Sequence, residues 1–247
     1  GFEVIYGDTD STFVHLGSDI RLEQADEIGQ RLAKMINDNW AALIRREFDL
    51  PSHLEIQYET HYRRFLMPTI RGLEKGSKKR YAGLVGEGEG EHLVFKGLET
   101  VRTDWTPLAK AFQTRLYEMV FHDQDPSSYV RTMVDETRAG RHDDLLIYRK
   151  RLRQKLEEYQ KNVPPHVRAA RLADEENLRR GLPQRYQHRG TIAYLMTLNG
   201  PEPLEYRRSA IDYEHYIDKQ LRPIADAILP FIGESFDRIC GQQLDLF

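Results

Sequence analysis

The sequence predicts an α+β fold in which an antiparallel sheet with a packed helix is followed by a mostly helical part. Three observations carry that expectation. Phe2, Val4 and Tyr6 alternate before Gly7, and Phe13 sits between Thr12 and Val14 after it, a period of two that reads as a β-hairpin. Apolar residues then recur at three- and four-residue spacing from about residue 22 to 48, the mark of an amphipathic helix. Beyond Gly97 the short strand-like runs give way to helix starts.

Each element has its own reason. Ala25, Ile28, Leu32, Met35, Ile36, Trp40, Leu43 and Ile44 form the apolar face of the long helix, and Pro51 ends it. Leu54, Ile56 and Tyr58 alternate with Glu55, Gln57 and Glu59, predicting a half-buried strand. Further strands are predicted over 65–70, 80–85 and 92–95. Gly86, Gly88 and Gly90 sit among glutamates between the last two, in a turn without a phosphate-loop pattern. Thr106-Pro107 is an N-cap followed by proline at the first helical position. Asp125-Pro126 opens a second helix that Gly140 closes, and a third runs over 166–180. A strand is predicted over 191–198 before the Asn199-Gly200-Pro201 turn, and helices over 211–239 break near Pro223 and Pro230.

A length of 247 residues allows one large or two small domains, and 40% hydrophobic with 30% charged residues suffices for a buried core. Mean hydropathy is -0.65. With no membrane-length apolar stretch and no signal peptide, the expectation is a cytoplasmic protein without a membrane partner. The single Cys240 excludes intrachain disulfides and multi-cysteine zinc sites. His15, His53, His61 and His166 are scattered without ligand spacing, so none is taken as a metal ligand. The net charge is -3, yet between Arg141 and Gly190 thirteen Lys and Arg stand against seven Asp and Glu, a local +6. A basic stretch in an acidic chain fits a confined nucleic-acid footprint, and equally a solvated face. Gly1 falls inside a predicted strand, which suggests the C-terminal part of a longer protein.

The chemistry-bearing stretch is Tyr6-Gly7-Asp8-Thr9-Asp10-Ser11. Two carboxylates two residues apart repel each other unless a hard cation lies between them. Mg²⁺ takes one or two protein carboxylates and completes its shell with substrate phosphates, so a nucleoside triphosphate suits such a tip. A type I′ turn accounts for a bare Gly-Asp pair; it does not account for the whole string between apolar strands. Downstream, Lys78-Lys79-Arg80-Tyr81 places three cations and an aromatic on one predicted strand, with Lys79 and Tyr81 on one face. Such a strand suits a duplex backbone and minor groove, where base acceptors hardly depend on sequence. A lysine-protected edge strand is the bland alternative.

The six-residue string resembles the palm signature of the family B DNA polymerases at every position. Lys78 to Tyr81 is similar to that family's Lys-Lys-x-Tyr motif, and Lys96-Gly97-Leu98-Glu99-Thr100-Val101-Arg102-Thr103-Asp104 to its palm-to-thumb string. Residues 156–173, Gly190-Thr191-Ile192 with Tyr194, and 211–217 resemble its thumb, especially in bacterial members without cysteine-rich metal modules. The resemblance implies a C-terminal part of a palm over 1–97, a mostly helical thumb over 98–240 and a tail over 241–247. It also implies two-Mg²⁺ phosphoryl transfer from a dNTP to a primer 3′-hydroxyl, with Asp10 ligating both ions and Asp8 supporting. Lys78, Lys79, Arg80 and Tyr81 then position the end of primer-template DNA. The terminal Gln243-Leu244-Asp245-Leu246-Phe247 is similar to the pentapeptide by which bacterial polymerases grip the sliding clamp: Gln243 at the pocket rim, Leu244, Leu246 and Phe247 in apolar pockets. The family's other metal-binding Asp, its triphosphate-binding helix and its exonuclease domain precede this motif and are not found here. The chain by itself is therefore expected to be inactive. Two alternatives stay open: another metal phosphotransferase with a Gly-Asp hairpin, and a DNA- and clamp-binding module without chemistry.

Overall fold

The computed structural model describes residues 1–18, 20–70, 73–76 and 79–241, with 69–70 and 73–76 described by backbone alone. The chain divides into two compact units, Gly1–Met67 with Lys78–Lys96, and Pro68–Ser77 with Gly97–Phe247. Helices and small antiparallel sheets together give the expected mixed fold. Among the described residues no helix is long and apolar enough to cross a membrane.

In the first unit, strands β1 (Glu3–Gly7) and β2 (Thr12–His15) form the hairpin, with Tyr6 opposite Phe13 and Gly7 opposite Thr12. Helix α1 (Leu22–Phe48) follows the predicted bounds. Its C-terminus closes at Asp49, whose N–H still reaches the Arg45 carbonyl and whose left-handed backbone (φ 55°) then turns the chain out of the helix. Ile28, Leu32, Ile36, Trp40 and Ile44 are half-buried, but Met35 and Leu43 of the predicted face are exposed. The strand predicted over 54–58 does not form. Asn37 of α1 captures Ile56 instead, its amide donating to the Ile56 carbonyl at 2.9 Å and accepting from the Ile56 N–H at 2.8 Å. Tyr58 seals the segment: its hydroxyl donates to Asp26 at 2.5 Å, and its ring lies so close to Gly29 that an added Cβ there would meet it at 2.2 Å.

In chain order come β3 (Arg64–Leu66), β4 (Thr69–Ile70), β5 (Leu73–Gly76), β6 (Tyr81–Val85) and β7 (His92–Lys96). Strands β3, β6 and β7 make one sheet with β6 central, while β4 and β5 pair separately within the second unit. An aromatic cluster fastens the hairpin to the first of these sheets. The Phe13 ring centroid lies 5.3 Å from Tyr6, 5.0 Å from Phe65 and 5.2 Å from Tyr81.

The second unit continues with α2 (Pro107–Phe121), α3 (Ser127–Arg138), β8 (Tyr148–Leu152), α4 (Pro165–Arg179), β9 (Gly190–Thr197), β10 (Gly200–Pro203), α5 (Tyr213–Tyr216), α6 (Arg222–Ile228) and α7 (Phe236–Cys240). Thr106 caps α2 as expected, its hydroxyl accepting from the Ala109 N–H at 3.3 Å, and Pro107 starts the helix. Leu108, Phe112, Leu116 and Tyr117 on α2 are fully buried, and α2 packs on α6 with Ile224, Ala225 and Ile228. Between α5 and α6 the chain widens into a π-helical turn, Ile217–Leu221. From that turn Gln220 accepts from both the N–H and the hydroxyl of Thr106, at 3.1 and 2.9 Å. Strands β8, β9 and β10 form a sheet with β9 central. Helix α4 covers one face of it through Val167, Ala170 and Ala173 against Leu152, Ile192 and Tyr194.

Candidate active site and nucleic-acid interface

The hairpin tip is closed tightly. The Asp8 N–H donates to the Ser11 carbonyl at 2.9 Å, and the pairing of β1 with β2 slips between Val4 and Tyr6. Such a bulge increases local twist and re-aims the side chains beyond it. Asp8 is half-buried and engaged: it accepts from the Thr9 N–H at 2.7 Å, and the Lys79 ammonium lies 3.3 Å from the same Oδ1. The Thr9 amide first and Lys79 second hold its carboxyl below the usual carboxylate range. Asp10, two residues on, is exposed and makes no hydrogen bond or ion pair among the described residues.

Lys79 reaches the tip in a way that the sequence does not announce. It lies in a turn with φ 64°, and its N–H donates to the Tyr6 hydroxyl at 3.0 Å, so backbone and ammonium both engage the hairpin. The predicted strand over Lys78 to Tyr81 is thereby corrected. The strand starts only at Tyr81, because a left-handed residue at 79 breaks the alternation. Tyr81 turns into the aromatic cluster, 5.1 Å from Phe65 and 6.0 Å from Tyr62, and burial pushes its hydroxyl up to about 12. Arg80 is half-buried. Lys78 and the tail residues Gln243, Leu244, Leu246 and Phe247 lie outside the described residues.

The donor set can be tested against Mg²⁺. Among the described residues no three His, Cys, Asp or Glu side chains converge as a metal cluster. Two carboxylates two residues apart on one hairpin tip, one without a partner among the described residues and one shared with an ammonium, do fit an ion that takes most of its shell from water and phosphate oxygens. Asp10 is the freer carboxylate of the two.

In the second unit, Arg102 grips Asp104 in two parallel bonds, Nε to Oδ1 at 3.0 Å and Nη2 to Oδ2 at 2.7 Å. Lys150 approaches the same carboxylate at 3.9 Å. The Arg102 hydrogen bonds lead the causes that bring Asp104 down to about 2. The basic stretch is thus partly consumed by pairing. Glu176, for instance, holds both Arg180 (2.8 Å) and Arg179 (3.5 Å). Sequence reasoning took the stretch as a whole. The strand alternation of β8, Arg149 and Arg151 outward with Lys150 inward, was the signal that would have sorted its cations.

Hairpin, carboxylate pair and helical second unit together define a class, and the match is direct: residues 1–241 fit the model of DNA polymerase family B. The chain belongs to that family. It is 58% identical over all 247 residues to DNA polymerase II of Escherichia coli, of which it covers 31%. It is 29% identical to DNA polymerase 2 of Aeropyrum pernix over 98% of the chain and 27% of that protein. Among solved structures, the family B DNA polymerase from Pyrobaculum calidifontis superposes with a TM-score of 0.58 at 27% identity, over 95% of this chain and 27% of that one. The chain therefore spans about a third of the length of these relatives.

Proposed function

We propose that this chain is the part of a DNA-directed DNA polymerase that supplies one carboxylate hairpin, a grip on the primer end and a thumb. The palm part is assigned to 1–97, the thumb to 98–240 and a clamp-binding tail to 241–247. The observation that carries the reading is the hairpin tip, where exposed Asp10, without a partner among the described residues, follows two positions after an Asp8 already fixed by Thr9 and Lys79. Asp10, with Asp8 in support, would hold Mg²⁺. When bound, the ions polarise the phosphates of a dNTP and lower the pKa of the attacking primer hydroxyl. The protein's own part is positional. Lys79 limits the rotamers of Asp8, the Tyr6 hydroxyl fixes the Lys79 backbone, and the aromatic cluster keeps the tip from tilting. Lys78, Lys79, Arg80 and Tyr81 hold the primer terminus without reading its sequence.

Two carboxylates on one hairpin do not complete a two-metal site, so the chain alone is expected not to extend a primer. Primer extension tests both statements. In the full-length enzyme, Asp10→Ala is expected to end synthesis while primer-template affinity is retained; normal turnover in that variant removes Asp10 from the metal site. Extension by the rigorously purified chain would overturn the incompleteness.

The tail reading rests on its sequence. Leu244, Leu246 and Phe247 of this pentapeptide would serve as anchors for a sliding clamp, with affinity about micromolar, or about −8 kcal/mol, for a short linear peptide. A variant ending at Asp245 is expected to lose clamp binding and clamp-dependent processivity, and to keep clamp-free synthesis. Equal clamp affinity of the two forms would exclude the tail as the contact.

A further inference from the structure

Helix α7 has five residues, too few to be stable on its own, yet it is held from several directions. Phe236 and Ile239 are 2% and 5% exposed, and α7 packs on both α3 and α6. Arg222, at the start of α6, lays its guanidinium over the Phe236 ring, 4.5 Å from the centroid. The same guanidinium pairs with Asp237 of α7 and with Asp218 of the π-helical turn, the latter at 3.2 Å. From α3, Arg131 donates its Nε–H to the Ile239 carbonyl at 3.3 Å, which occupies one of the carbonyls that the last turn of a helix leaves open. The Ser235 hydroxyl caps the other end, accepting from the Arg238 N–H at 3.2 Å.

The exit from α7 is fixed as well. The Gly241 N–H donates to the Asp237 carbonyl at 2.6 Å, and a Cβ at 241 would meet that carbonyl oxygen at 2.2 Å. A side chain there would force the chain to leave the helix by another route. In the sequence only Gly241-Gln242 separates α7 from the pentapeptide that begins at Gln243, and two extended residues reach about 7 Å. A linker that gives a bound partner free play is long and rich in glycine and serine, and this one is neither.

We propose that α7 is a rigid root for the clamp-binding tail. Arg222 and Arg131 hold α7, Gly241 sets the point and direction of exit, and a sliding clamp that grips residues 243–247 is kept at one orientation to the second unit. The inference rests on the tail reading and adds to it what the clamp is anchored against. A short tether keeps the effective concentration high, and that concentration falls roughly as the −3/2 power of linker length once the linker outgrows its span. A polymerase on a rooted tail that loses the primer end therefore meets it again sooner than one on a long leash. Arg222 acts through α7 and is a positioning residue.

The test uses the full-length enzyme with a sliding clamp loaded on primed DNA. A Gly-Ser insertion of about eight residues between Gly241 and Gln242 leaves every packed residue and the pentapeptide in place. It is expected to keep clamp affinity and clamp-free synthesis and to lower clamp-dependent processivity about tenfold, because the linker grows about fivefold. Arg222→Ala is expected to lower processivity in the same direction and to speed amide hydrogen exchange over residues 236–240 about tenfold, through the loss of an ion-paired, stacked guanidinium. Its clamp affinity and clamp-free synthesis are expected to stay at wild-type values, whereas a helix needed only for folding would move clamp-free synthesis too. Wild-type processivity in the insertion variant overturns the root and leaves the tail a flexible leash. Unchanged exchange in Arg222→Ala overturns the assignment of the hold to Arg222. Failure of the tail reading shows separately: the variant ending at Asp245 then binds the clamp as well as wild type, and the root has nothing to hold.

Discussion

The two units are built on different terms. In the first, only Ala25, Leu66, Ala82 and Leu84 are buried hydrophobics among the described residues, while Phe2, Val4, Ile5, Met35, Phe48, Leu50 and Leu54 are exposed. Its cohesion comes from an aromatic cluster of Tyr6, Phe13, Tyr62, Phe65 and Tyr81 and from polar pins such as Asn37 to Ile56. The second unit buries whole helix faces, with Leu108, Phe112, Leu116, Ile217, Leu221 and Ile228 at 0 or 1% exposure. Hydrophobic burial tolerates small displacements; hydrogen bonds and ring contacts fix direction. The unit that carries the two hairpin carboxylates is directional and thinly cored, and the unit with the bulk of the burial carries the basic 141–190 stretch.

Substitutions put this contrast to the test, and the largest expected effect is on synthesis, through the thin unit. Asp10→Ala in the full-length enzyme is expected to abolish synthesis without a change in melting temperature, since its carboxylate has no partner among the described residues to lose. A large drop in melting temperature would place Asp10 in the structure rather than in the site. Next comes the second unit's core. Phe112→Ala should cost about 3–5 kcal/mol, read as a shift in denaturation midpoint at unchanged slope. A cost under about 1 kcal/mol would mean that this core is loosely packed after all.

Gly29→Ala tests the polar pinning of the first unit. The new methyl would collide with the Tyr58 ring, and the expected cost is about 1–3 kcal/mol. Neutral behaviour would show that the 51–62 segment shifts freely. Asp104→Asn should cost about 1 kcal/mol at pH 7, after discounting for a side chain that is one-third exposed. Its folded pKa, about 2, lies below the ordinary value of 3.8, so its contribution is complete above about pH 4 and fades as pH falls through 2. Comparing wild type and variant across that window checks the sign. Smallest of all, Phe48→Ala at a 66% exposed position should stay within about 0.5 kcal/mol.

The long helix was legible to the residue because one apolar period runs through it without a breaker, and the start of α2 because Thr106-Pro107 is a local signal. What escaped depended on distant partners. The strand expected over 54–58 alternates correctly, but Asn37, nineteen residues earlier, takes the Ile56 hydrogen bonds that a neighbouring strand would have used. Strand β8 was missed because Lys150 occupies an inward position and turns the alternation into what reads as a run of charge. At the site, the carboxylate pair could be read from one string, whereas the docking of Lys79 on Tyr6 spans 73 residues and needs a left-handed backbone at a lysine. Local pattern carries neither fact.

The bond from Gln220 to Thr106 bears on the order in which the chain is made. Its partners are 114 residues apart, and the α2 face that buries Phe112 and Leu116 waits for Ile224 and Ile228 from the same late stretch. At about 5–20 residues per second, a ribosome needs about 6–23 s to deliver Gln220 after Thr106. Throughout that interval α2 has neither the partner of its cap residue nor the helix that covers it, so its apolar face stays exposed until Gln220 and α6 have been made.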